Sequence, residues 1–170
     1  DIFDLSKKDK KFIEDNFGEL LKNKTVSLHI RRGDFINIQS HHPLQGIEYY
    51  NKAMSYFDSD VTYLVFSDDI EWAKNNFNKK NIHFVTKNKM EGNNTLNTLD
   101  ITEGGYPDYI EMYLMSMCDH NIIANSSFSW WGAWLNKNPN KKVIAPKQWF
   151  GPAYENQNDN DLIPESWIRI

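Results

Sequence analysis

The sequence predicts an α/β domain of three layers, with helices on both faces of a mostly parallel sheet. Three observations point to it. Five short segments rich in β-branched and aromatic residues alternate with amphipathic stretches between residues 8 and 146. One of them, VTYLVFS, is apolar almost throughout, as suits a strand buried on both faces. The residues able to hold a ligand gather just after these segments, where such sheets bind ligands.

Taken in order, residues 8–22 place Phe12, Ile13, Phe17, Leu20 and Leu21 near one face of a helix. Residues 25–30 read as a strand, and a loop, RRGDFINIQSHHPLQG, follows it. Ile47, Tyr50, Met54 and Phe57 fall at helical spacing over 45–57. The strand 61–67 leads into DDIEWAKNNF, a helix with Asp68 and Asp69 at its start, and then into a third strand over 81–86. Residues 87–106 are polar and glycine-bearing and read as a long loop. A helix over 108–118 precedes the fourth strand, 121–125. SSFSWWGAWLNKN, 126–138, opens with serines suited to capping a helix. A fifth strand, 141–146, ends at Pro146, and the tail to Ile170 reads as irregular, with a turn at Ser166–Trp167. The expected organisation is one domain: a leading helix over 1–24, a core over 25–150 and a tail over 151–170.

The chain has 170 residues, enough for one full core, and a formal net charge of −4, which argues against a general nucleic-acid binder. The single cysteine, Cys118, rules out an internal disulfide and sits in an apolar helix, where it reads as a small hydrophobe. No apolar run is long enough to span a membrane. The glycosylation sequons at Asn23, Asn93 and Asn125 are expected by chance in an Asn-rich chain. The RGD tripeptide at 32–34 follows a buried strand and is not read as an adhesion motif.

Four clusters converge on one sheet edge. The first strand ends in His29, Arg31, Arg32 and Asp34; the second in Ser67, Asp68 and Asp69; the fourth in Asn125, Ser126, Ser127 and Ser129; the fifth in Pro146 and Lys147. Two arginines beside a helix N-terminus suit a diphosphate, because guanidinium forks and free helix N–H groups both bind phosphate oxygens. Asp68 or Asp69 could accept the paired N–H groups of a guanine edge. Each piece also has a plain structural use. Either arginine could pair with Asp34 and fix the loop, and one of the two is expected to be structural. SDD and SSFS are capping sequences. Trp130, Trp131 and Trp134 are expected in the core, and His41, His42, His83 and His120 as scattered singles on the surface or in loops. No Walker A motif, GxGxxG or zinc spacing is present.

HIRRGD (29–34), FSDDIEWAK (66–74), IIANSSFSWWGAWL (122–135) and VIAPKQWF (143–150) resemble the successive motifs of glycosyltransferase family 11, the α-1,2-fucosyltransferases. The first motif is also similar to that of α-1,6- and protein O-fucosyltransferases. The resemblance implies a Rossmann-like domain, the C-terminal half of a GT-B glycosyltransferase. It implies GDP-β-L-fucose as donor substrate, a galactose-containing glycan as acceptor and no metal or other cofactor. It also implies that the N-terminal acceptor domain is absent from this chain. Carried over by position, Arg31 would contact the diphosphate, with Arg32 bracing the loop through Asp34. His29 and Asp68 or Asp69 would read guanine, and Ser126, Ser127 or Ser129 would hold phosphate. Asp34 is a candidate base by type, though it is expected rather to tie down an arginine, and a base in the absent half is the equal alternative. A cytoplasmic enzyme, peripheral to the inner face of a bacterial membrane, is the corresponding expectation. A fucosyltransferase of other linkage, α-1,6 or O-fucosyl, or a transferase for another GDP-sugar is the alternative within the class; a carbohydrate-binding module or an inactive nucleotide-binding domain are the alternatives of another class.

Overall fold

In the computed structural model, residues 4–86, 106–154 and 157–170 are described, together with the backbone of 98–100. The described elements run α1 (Lys7–Leu21), β1 (Thr25–Ile30), α2 (Ile47–Met54), β2 (Thr62–Ser67), α3 (Ile70–Asn76), β3 (Ile82–Thr86) and β4 (Thr98–Asp100). They continue with α4 (Asp108–Met117), β5 (His120–Ile122), α5 (Ser127–Leu135), β6 (Val143–Ala145) and β7 (Ile168–Arg169). The sheet order is β4-β3-β2-β1-β5-β6-β7, and every pairing is parallel. The chain steps outward from β1 to β4, then crosses back to lay β5 on the other side of β1. The strand order therefore reverses between β1 and β5, and a crevice opens there at the carboxyl ends.

Alternation along the central strands builds two cores. Val26, Leu28, Ile30, Tyr63 and Val65 face α2 and α3. Leu64 and Phe66 face α1 and α4, where Ile13, Phe17 and Leu114 meet them. β1 is buried at all six positions, although its second face is polar: Thr25, Ser27 and His29. Two of these three are satisfied by bonds across the fold. Thr25 N–H donates to Asp119 Oδ2 at 2.7 Å, and Ser27 Oγ accepts from Asn121 Nδ2 at 2.7 Å. Asn121 also donates to Met115 O and accepts from Asn136, each at 2.8 Å. A third apolar cluster, with Ile123, Ala133, Val143 and Trp167, joins α5 to the β6 side of the sheet. Gly132 lets α5 close on α4, for a Cβ there would lie 2.9 Å from Met115 Cβ.

Two expectations are corrected at the sheet edges. The segment 87–106, expected as loop, contributes edge strand β4 at 98–100; its remaining residues lie outside the described ones, except Tyr106. The tail does make a turn, with Trp167 N–H donating to Pro164 O at 2.9 Å, but it then pairs with β6 as β7. Strands of three and two residues are too short to show alternation in a sequence. Among the described residues, no helix is long and apolar enough to cross a membrane.

Candidate functional site

β1 delivers two arginines to the crevice, and the turn after it sorts them. Arg31 Nη2 donates to Asp34 Oδ1 at 2.5 Å, and its Nη1 lies 3.1 Å from Asp68 Oδ2. The guanidinium also sits 5.3 Å from the Phe35 ring centroid. Arg32 turns the other way. Its Nε donates to Asp69 Oδ2 at 3.0 Å, and the group lies 4.2 Å over the Trp72 ring. The expected Arg32–Asp34 brace is therefore corrected: Asp34 is the partner of Arg31, and Arg32 is tied to α3. The cause is geometric, because Asp34 opens a 3-10 turn at Asp34–Asn37 one residue past Gly33. A Cβ on Gly33 would meet Asp68 Oδ2 at 2.5 Å, so a side chain there would push the Asp68 carboxylate from its place beside Arg31.

The acidic pair is also divided. Asp69 Oδ1 caps α3 by accepting from Trp72 N–H at 3.1 Å, while its other oxygen holds Arg32. Asp68 Oδ1 accepts from Arg32 N–H at 2.8 Å, and its Oδ2 faces Arg31. Both carboxylates thus hold the arginine loop.

α5 supplies the opposite wall. Ser126 stands at its N-cap, yet its hydroxyl makes no cap bond, contrary to the capping expected of it. The helical ladder begins with Trp130 N–H to Ser126 O at 3.0 Å, so the amides of Ser127, Phe128 and Ser129 precede it. Of the serines, Ser126 and Ser127 line the crevice. Ser129 is buried, and its hydroxyl turns back to Ala124 O and Ser126 O. Asn125 is a fastener: its Nδ2 donates to Pro43 O and Trp149 O, each at 3.1 Å.

Two cavities meet at this point and share Arg31 and Phe128. The first, of about 480 Å³, runs under the ends of β1, β2 and β3. Ile70, Val85 and Phe128 give it apolar walls, and His29, Asp108 and Glu111 give it polar ones. His29 is 5 % exposed, and its Nδ1 has no hydrogen-bond partner among the described residues. Burial, with the Arg31 charge beside it, pushes its pKa down to about 3, so the ring is neutral. The second cavity, of about 650 Å³, lies between the start of α5 and the loops after β1 and β6.

Aromatic residues are placed differently from expectation. Trp131 and Trp134 are 39 % and 52 % exposed rather than core, and Trp130 stacks on Trp134 at 5.1 Å. Trp130 Nε1 donates to Leu162 O at 2.7 Å. His42 is no surface single: it stacks on Phe35 at 4.7 Å and lines the second cavity. Asp108, Glu111 and Phe128 escaped sequence reasoning. The visible signal was the acidic first turn of α4, which followed a segment read only as loop. Cys118 is buried, and burial pushes its thiol up to about 12, which leaves it inert. Among the described residues, no three His, Cys, Asp or Glu side chains gather as metal ligands.

The fold is a doubly wound domain in which Arg31 and the N-terminus of α5 border one crevice at the strand-order reversal, the place where sheets of this kind bind ligands. The chain belongs to glycosyltransferase family 11, whose model matches residues 5–170. It is 39 % identical over 153 residues to the O-antigen biosynthesis glycosyltransferase WbnK of Escherichia coli, covering 86 % of this chain and 44 % of that protein. It is 38 % identical over 152 residues to an α-1,2-colitosyltransferase of Escherichia coli, covering 86 % of this chain and 47 % of that one. The chain thus spans about half the length of these relatives. Among solved structures it is similar to NodZ α-1,6-fucosyltransferase soaked with GDP-fucose, at TM-score 0.49 and 19 % identity, over 76 % of this chain and 42 % of that one.

Proposed function

We propose that this chain is the donor-binding portion of an inverting glycosyltransferase that moves L-fucose from GDP-β-L-fucose to the 2-hydroxyl of a galactoside. The observation that carries this reading is the rim shared by the two cavities, where Arg31 faces the free amides of α5 beside Ser126 and Ser127. A diphosphate fits there by charge and by hydrogen-bond geometry. The first cavity then takes the base between Phe128 and the Ile70–Val85 wall. Its carboxylates at Asp108 and Glu111 suit the N–H edge of guanine, and the neutral His29 adds a ring nitrogen.

In the reaction the acceptor hydroxyl oxygen bonds to the anomeric carbon as the bond to the β-phosphate oxygen breaks. The electron pair of that bond goes to the phosphate, and Arg31 with the α5 N-terminus stabilises the charge that develops. Losing one such donor costs on the order of 100- to 1000-fold in rate. Asp34 is the candidate to take the acceptor proton once the diphosphate has displaced it from Arg31. The O-antigen relative supports a polysaccharide precursor as acceptor; work at the inner face of a bacterial membrane is part of the same proposal.

A second donor sugar, colitose carried on the same nucleotide, is favoured by the α-1,2-colitosyltransferase relative. Calorimetric titration with GDP, ADP and UDP, with and without magnesium, on wild type and Arg31→Ala, tests the shared core of both readings. GDP-selective binding lost in the variant is expected. Equal binding by Arg31→Ala would overturn it. Transfer assays with the two GDP-sugars, using protein of the relatives' full length, then separate the donors.

A further inference from the structure

We infer that the second cavity receives the sugar of the nucleotide donor, with its apolar face and deoxy methyl resting against Trp131, the exposed tryptophan of its wall. This deepens the donor-binding reading and rests on it. The argument begins with continuity. The two cavities share only Arg31 and Phe128 among their described lining residues, so a diphosphate held at that rim sends its two ends into opposite chambers.

The chemistry of the walls decides which end goes where. The first chamber carries the carboxylates of Asp108 and Glu111, acceptors for a base that presents N–H groups. The second has no carboxylate among its described lining residues, and Phe35, His42, Trp131, Trp149 and Phe150 give it an aromatic surface. Trp131, 39 % exposed, can meet the C–H face of a sugar, and a C6 methyl in place of a hydroxymethyl enlarges the apolar area to be covered. α5 links the two functions. Trp131 follows Ser127 by four residues and Phe128 by three, so it lies on the same helix face, one turn beyond the anion-binding end.

The chamber is also fixed before any ligand arrives. Asn125 fastens the loops that carry His42 and Trp149 through Pro43 O and Trp149 O. Gly151 N–H donates to His41 O at 2.7 Å, and Ala153 N–H to Ser40 O at 2.8 Å. A Cβ on Gly151 would strike the Ser40 carbonyl, so the two loops can zip together only with glycine there. A wall held by backbone bonds and a buried amide loses little entropy when it closes on a ring.

Saturation-transfer NMR with GDP-L-fucose tests this, because base, ribose and fucosyl protons are read separately in one sample. In wild type the guanine H8 and the fucosyl methyl should both be saturated. In Trp131→Ala the H8 signal should persist while the methyl signal falls several-fold. Trp134→Ala, an exposed tryptophan outside the cavity, should match wild type. Strong H8 with no methyl signal in wild type, or a methyl signal indifferent to Trp131→Ala, overturns the sugar chamber and leaves the donor-binding reading standing. Absence of both signals in folded wild-type protein overturns the donor-binding reading, and the chamber with it.

Discussion

Arg31 and Asp34 meet at 2.5 Å, so the guanidinium proposed for the diphosphate already has an anion on it. Asp68 approaches the same group at 3.1 Å from the other side. The two carboxylates differ in how they are held. The Asp34 side chain is 61 % exposed, whereas Asp68 is 26 % exposed and anchored to the Arg32 amide. On the proposed reading, an incoming diphosphate is expected to displace Asp34 and leave Asp68 aiming the arginine. Asp34→Asn removes a competing, solvent-exposed pair worth up to about 1 kcal/mol. GDP should bind about two- to fivefold more tightly to this variant by calorimetry. Weaker binding would show that Asp34 positions Arg31 and does not compete for it.

Asp69 works on the fold. Asp69→Ala strips the α3 cap and the partner of the half-buried Arg32, and should cost about 2 kcal/mol in urea unfolding. GDP affinity at a temperature where the variant stays folded should be unchanged. A selective loss of GDP binding with stability intact would return Asp69 to the base-reading role first expected of it.

Base selectivity should reside on α4. Glu111→Ala is expected to weaken GDP by about tenfold while leaving the weaker ADP binding as it was, since hydrogen bonds to a charged acceptor are worth about 1.5–3 kcal/mol. An equal loss for both nucleotides would point to a packing role through Tyr106, whose hydroxyl donates to Glu111 at 3.1 Å.

His29 should make the domain acid-sensitive. Its folded pKa of about 3 lies below the unfolded value of about 6.5, so the unfolded chain takes up the proton first as pH falls. Its contribution to stability is complete above pH ~6.5 and is lost progressively from there toward pH ~3. By pH 5 the loss is about 2 kcal/mol. Burial also lowers His83 and His120, which adds in the same direction. Urea unfolding at a series of pH values should show this slope, and His29→Leu should flatten it. An unchanged slope in His29→Leu would place the sensitivity elsewhere.

The central sheet was legible because β1, β2 and the helices between them carry strong periodic patterns buried on both faces. The convergence of His29, Arg31, Asp68 and Ser126 on one edge followed from that parallel sheet alone. Partner choice was not legible. Which arginine meets Asp34 depends on the turn at Gly33, and that turn depends on how closely Asp68 approaches across 35 residues of chain. The aromatics were misjudged for a related reason. α5 is apolar on nearly every side, so its composition shows no outward face, and only its packing on α4 and β6 exposes Trp131 and Trp134. The acidic first turn of α4 was readable as a helix start but not as a pocket wall, because the crossover from β4 decides what it faces.

β7 has two residues and stands at the border of the sheet beside β6. Ile170 N–H donates to Ala145 O at 3.1 Å, and Arg169 clasps Asp159 through both carboxylate oxygens. So short a strand, with a charged side chain on it, offers little template for another chain. Without it, the apolar Val143–Ala145 segment would become an open ladder, ready to recruit a second molecule. β7 therefore covers the edge of β6, and removing Ile168–Ile170 is expected to show first as aggregation during concentration, before any loss of GDP binding.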